Sequence, residues 1–130
     1  MHKQFMAQAI KLAEENAAQG KQPFGAVLVK DGEVVATAVN NVEATFDPTA
    51  HAETLAVKEA CQKLQTFNLS GMVMYASGEP CPMCLGTMYL TNIAEVYYAN
   101  ACHPEGLSAA IYAELKLPQA ERKLMQIKQL

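Results

Sequence analysis

The chain has 130 residues, 51% of them hydrophobic and 18% charged, with a formal net charge of −3 at pH 7. That size buries a core without disulfide staples, and the composition excludes intrinsic disorder. No apolar run approaches the roughly 20 residues that cross a bilayer, the first residues lack the apolar core and cleavage site of a signal peptide, and no tract of Lys or Arg suits a phosphate backbone. These features predict a single domain over residues 1–130, in the cytoplasm.

Phe5, Met6, Ala9, Ile10 and Ala13 recur at helical spacing, and Gly20 ends the pattern as a glycine just past a helix does. Gly25 to Lys30 and Glu33 to Val39 are β-rich runs joined by Asp31-Gly32, a strong hairpin turn. Asn40 to Phe46 reads as a loop. Asp47-Pro48 has the form of an N-cap followed by proline at the first helical position, predicting a helix to about Leu64 with His51 and Glu53 in its first turns. Met72 to Ala76 is apolar on both faces, as a buried third strand is. Ser77-Gly78-Glu79-Pro80 then turns the chain into a helix containing Cys81 and Cys84, which at a spacing of three share one face. Glu95 to Ala99 predicts a fourth strand and Leu107 to Leu115 a further helix. Strands alternating with helices after an initial hairpin predict an α/β fold, a three-layer α/β/α sandwich around a mixed sheet.

The chemistry concentrates in His51-Ala52-Glu53 and Pro80-Cys81-Pro82-Met83-Cys84. A reducing compartment disfavours disulfides, and a Cys-x-x-Cys with a His-x-Glu reads there as a metal site. Structural zinc closes its tetrahedron with four Cys or His side chains, whereas catalytic zinc keeps three protein ligands and an open position. His2, Cys61, Cys102 and His103 are the remaining candidates for a fourth ligand, and none has the spacing of a zinc knuckle or ribbon. His51, Cys81 and Cys84 are therefore the expected ligands of one Zn2+, and Glu53 the unligated acid/base that works on its water. A helix N-terminus at each half of the motif favours thiolates at the cysteines. A zinc-stabilised binding module without turnover is the competing reading, but it has no use for the carboxylate of Glu53.

The His-x-Glu and Pro-Cys-x-x-Cys signature resembles that of the zinc-dependent nucleobase and nucleoside deaminases of the cytidine deaminase superfamily. Pro23-Phe24-Gly25-Ala26-Val27, Asn40, Asp47-Pro48-Thr49-Ala50-His51-Ala52-Glu53 and Glu79-Pro80-Cys81-Pro82-Met83-Cys84-Leu85-Gly86 look most like the bacterial guanine deaminases. The resemblance implies hydrolysis of a free base, guanine to xanthine plus ammonia, with cytosine, isocytosine and tRNA adenosine as alternatives. It places a base-binding amide at Asn40, a pocket wall at Phe24 and a backbone contact at Ala52, and it implies a homodimer with an exchanged C-terminal segment. The chain departs from the guanine deaminase pattern after Asn100, where the segment through Cys102, His103 and Glu105 is shorter; in relatives this loop approaches the substrate. The acidic balance, and the 46 residues after Cys84 without a long basic helix, weigh against tRNA.

Overall fold

The computed structural model describes residues 1–130. In chain order the elements are α1 (His2–Ala18), β1 (Gly25–Lys30), β2 (Glu33–Val39), α2 (Val42–Thr45), α3 (Ala52–Leu64), β3 (Val73–Gly78), α4 (Pro82–Leu90), β4 (Glu95–Asn100) and α5 (Leu107–Leu115), followed by a 3-10 turn at Gln119–Glu121. The four strands form one sheet in the order β2-β1-β3-β4. β1 is antiparallel to both β2 and β3, and β3 is parallel to β4. It follows that β2, β3 and β4 all run in one direction, with β1 opposed.

Alternation along the central strands divides the core between the two faces. Ala26, Leu28 and Met74 point to the face covered by α3 and α4, where they pack with Ala52, Ala56, Val57, Cys84 and Met88. Val27, Val29 and Tyr75 point to the other face and meet Phe5 and Ala9 of α1. Helices therefore cover both faces of a mixed sheet, as the pattern of elements predicts. No helix is long and apolar enough to cross a membrane.

Two turns depend on backbone that L side chains rarely adopt. Asp31 and Gly32 take φ values of 50° and 79°, as the hairpin between β1 and β2 requires. Gly20, at φ 80°, follows α1 and donates its N–H to Ala17 O.

The strongest difference from the sequence reading lies between β2 and α3. The predicted loop contains the short α2, and the helix expected from Asp47-Pro48 starts only at Ala52. Asp47 instead closes a local turn: its Oδ1 accepts the Thr49 N–H at 2.8 Å and the Thr49 hydroxyl at 2.7 Å. An Asp side chain satisfies a turn two residues on as readily as a helix start, and the two share one sequence signature. β3 also runs to Gly78, two residues beyond the predicted end, because Gly78 pairs with Asn100 of β4.

Gly25 marks where α1 rests on β1. A Cβ there would lie 2.5 Å from Ala9 O and 2.8 Å from Leu12 Cβ, closer than real carbon contacts allow. Gly25→Ala should thus destabilise the protein by about 1–3 kcal/mol, the usual effect of overpacking. Urea denaturation of the two proteins checks this, and an unchanged midpoint would show that α1 can move aside freely.

Candidate metal centre and its cavity

The parallel course of β2 and β3 places their carboxyl ends at the same edge of the sheet, and the chain leaving each one leads to a helix start at that edge. His51 is the N-cap of α3 and Cys81 the N-cap of α4, with Pro82 at the first helical position. The sequence reading placed His51 and Cys81 inside helices; both in fact stand one residue ahead. Both N-caps have extended backbone, with φ −76° and ψ 152° at His51 and φ −69° and ψ 166° at Cys81.

His51 Nδ1 lies 3.4 Å from Cys81 Sγ and 3.6 Å from Cys84 Sγ, and the three donor atoms all fall within 4.8 Å of one another. A tetrahedral zinc with Zn–S of about 2.3 Å and Zn–N of about 2.0–2.1 Å separates its S and N ligands by about 3.6 Å. The His-to-Cys spacings here are therefore those of two edges of a zinc tetrahedron, and one nitrogen and two sulfurs leave its fourth corner free. The donor set fits zinc.

Two further contacts orient the sulfurs. The Cys84 N–H, in the first turn of α4, points to Cys81 Sγ at 3.4 Å, and the Thr54 hydroxyl lies 3.1 Å from Cys84 Sγ. Between the two thiols, Cys81 is the one that ionises first. The Cys84 thiol donates to it, burial opposes ionisation, and the Cys84 N–H and the His51 charge help, holding it down at about 5. Cys84, which gives that hydrogen bond and is itself buried, is pushed up. Metal binding replaces this shared proton, because a coordinating thiol is deprotonated outright.

Glu53 is 7% exposed, two residues into the same helix start. Burial first, then the Cys81 charge, pushes its carboxyl up to about 7, against its own backbone N–H and the His51 charge, which lower it. A divalent cation among the neighbouring ligands opposes that shift by direct attraction.

A cavity of 410 Å³ opens on this cluster, within the range of about 300–1,000 Å³ usual for small-molecule sites. Phe24, Asn40, His51, Glu53 and Cys81 all line it, so the structure gathers most of the sequence-predicted residues around one space. Asn40 is held from three sides: its N–H donates to Phe24 O, its O accepts the Asn16 amide at 2.9 Å, and its Oδ1 accepts the Val42 N–H at 3.2 Å. Its Nδ2 has no hydrogen-bond partner in the chain. Ala52 and Cys84 lie behind the wall, 0% and 1% exposed, and neither lines the cavity. Cys102 and His103 line a separate cavity of 440 Å³ that shares Phe24, Glu79 and Ser108 with the first, while Glu105 lines neither.

Sequence reasoning missed Thr54, although its place three residues after His51 on one helix could have suggested it. It also missed Gln22, Glu79, Leu107 and Ser108 in the cavity wall. Glu79 stands beside the cysteine motif in sequence, but Leu107 and Ser108 reach the site only through the tertiary fold.

Comparison with known proteins agrees with this geometry. Residues 1–100 match the cytidine and deoxycytidylate deaminase zinc-binding region. The chain is 43% identical over 129 residues to a guanine deaminase of Bacillus subtilis (strain 168), covering 95% of this chain and 82% of that protein. It is 37% identical over 120 residues to a tRNA-specific adenosine deaminase of Aquifex aeolicus (strain VF5), covering 92% and 80%. The X-ray structure of the guanine deaminase from Bacillus subtilis superposes with a TM-score of 0.88 at 40% identity, over 100% of this chain and 85% of that one.

The cluster should hold one zinc per chain, and Cys84→Ala should lose it, since a single thiolate and an imidazole do not make a stable site. Thr54→Val should keep the fold and weaken zinc binding about 10- to 100-fold, the usual effect of removing a partner of a metal ligand. Competition with a chromophoric chelator measures both. Parent-like zinc affinity in Thr54→Val would mean that its hydroxyl does not support Cys84.

Proposed function

We propose that this chain, which belongs to the cytidine and deoxycytidylate deaminase family and is a zinc-dependent hydrolytic deaminase, acts on free guanine and releases xanthine and ammonia. The observation that carries this reading is the zinc-spaced cluster of His51, Cys81 and Cys84, of which His51 and Cys81 open, together with the buried carboxyl of Glu53, on one cavity of base-binding size. Bound zinc would supply a Lewis acid that lowers the pKa of water to about 7. Glu53 does the proton work. It accepts the first proton of water and delivers it to a ring nitrogen as the amine-bearing carbon is attacked, then takes the proton of the added hydroxyl as the carbonyl forms and passes it to the departing amine, which leaves as ammonia.

The remaining residues hold the base. Asn40 offers the free Nδ2 to a base carbonyl while its Oδ1 stays on Val42, so the amide cannot turn over without losing a hydrogen bond. Phe24, 39% exposed and at the cavity wall, gives an apolar ring to the base plane. In this reading the domain spans residues 1–130 and works in the cytoplasm as a homodimer on a small nucleobase.

The relation to a tRNA-specific adenosine deaminase favours a second reading, action on an anticodon adenosine. Ten basic against thirteen acidic residues weigh against it, because a nucleic-acid backbone is gripped chiefly by cationic side chains. Cytosine and isocytosine are the alternatives among free bases.

Glu53→Gln should retain zinc and fold while turnover falls about 10²- to 10⁴-fold, since the amide keeps the shape and cannot shuttle a proton. Steady-state ammonia release checks this, and activity within a few-fold of the parent would assign the proton transfer elsewhere. In the same assay guanine should outperform cytosine and isocytosine, and all three should exceed structured tRNA. Deamination of the anticodon adenosine with every free base inert would replace the guanine reading by the tRNA one.

A further inference from the structure

The two residues ahead of Cys81 tie the metal centre to the later part of the chain. Glu79 donates its N–H to Asn100 O at 2.7 Å and accepts the Cys102 N–H on Oε1 at 3.0 Å. The Pro80 carbonyl accepts the Tyr112 hydroxyl at 2.5 Å. The first pair fixes the segment that leaves β4, and the last one fixes α5.

Little else fixes that helix. α5 has no buried residue, and α4 is the one regular element it approaches. An element with so little burial belongs to the low-stability part of a fold, where one hydrogen bond is a large share of what holds it. Yet α5 brings Leu107 and Ser108 into the wall of the cavity that contains His51, Glu53 and Cys81. Ser108 and Tyr112 are four residues apart and lie on the same helix face. The face that grips Pro80 is thus also the face turned to the cavity.

We propose that Tyr112 is a positioning residue whose hydroxyl, by holding α5 on the Pro80 carbonyl, keeps Leu107 and Ser108 in the cavity wall and so sets the affinity for the base. The proposal rests on the base-deaminase reading above. Without the hydroxyl, α5 spends part of its time displaced, and apparent affinity falls by the fraction of molecules with a complete wall. Molecules that have bound the base react as before, because His51, Cys81, Cys84 and Glu53 are carried by α3 and α4 and not by α5.

The test is Tyr112→Phe, which removes the hydroxyl alone, compared with the parent in zinc content, steady-state kinetics on the best free base and amide hydrogen exchange. KM should rise about three- to tenfold, the range expected from one net hydrogen bond. A kcat within about twofold of the parent would then show that wall binding and not the chemical step was lost. Zinc should remain at the parent level, and exchange should quicken across residues 107–115 while β1 and β3 stay protected. An unchanged KM with unchanged exchange overturns the proposal, as does a fall in kcat at constant KM. If neither protein deaminates any free base, the base reading fails, and the exchange result alone still decides whether Tyr112 holds α5.

Discussion

Three donor atoms must meet at about 3.6–3.8 Å from one another for a zinc tetrahedron to form, and here they come from two separate helix starts. That requirement explains the arrangement around it. Because β2 and β3 run in the same direction on either side of β1, the chain leaves both at one edge of the sheet, and α3 and α4 begin there. The close seat of α1 on Gly25 covers the opposite face, with β1 between α1 and the site. Open α/β sheets commonly bind ligands outside the carboxyl ends of their strands, and this sheet obeys the same geometry.

The electrostatics follow from the same placement. Both N-caps present the positive end of a helix to the cluster, which favours thiolates. Glu53 is buried beside them, where an isolated carboxylate would be expensive to ionise, and its pKa rises to about 7. A cation at the donor cluster and the proton on Glu53 therefore act on one another. The Glu53 carboxylate is not one of the donor atoms that gather within 4.8 Å of one another, which are those of His51, Cys81 and Cys84.

Much of this was legible in the sequence, for identifiable reasons. Ligand identity was readable because His-x-Glu and Cys-x-x-Cys are local patterns, and the strands because Asp31-Gly32 and the apolar runs are local as well. The start of α3 was misplaced because Asp47-Pro48 serves a turn and a helix cap equally well; Thr49 decides between them by occupying the Asp47 carboxylate. Asn40 was readable as a candidate, but not that its carbonyl is tied to Val42 while its amide is free, nor that Asn16 holds its backbone. The far wall of the cavity, Leu107 and Ser108, was not legible at all. Those residues come to the site through Tyr112 and Pro80, 32 positions apart, and no periodicity encodes that meeting.

An open three-ligand zinc site has a distinct signature in zinc K-edge absorption spectroscopy of the purified protein. The spectrum should show two sulfur neighbours at about 2.3 Å and two nitrogen or oxygen neighbours at about 2.0–2.1 Å, one of them the His51 imidazole and the other exchangeable solvent. Three or more sulfur neighbours would bring Cys61 or Cys102 into a closed structural site and contradict it, as would a folded, active protein with no zinc edge or that of any substitute metal.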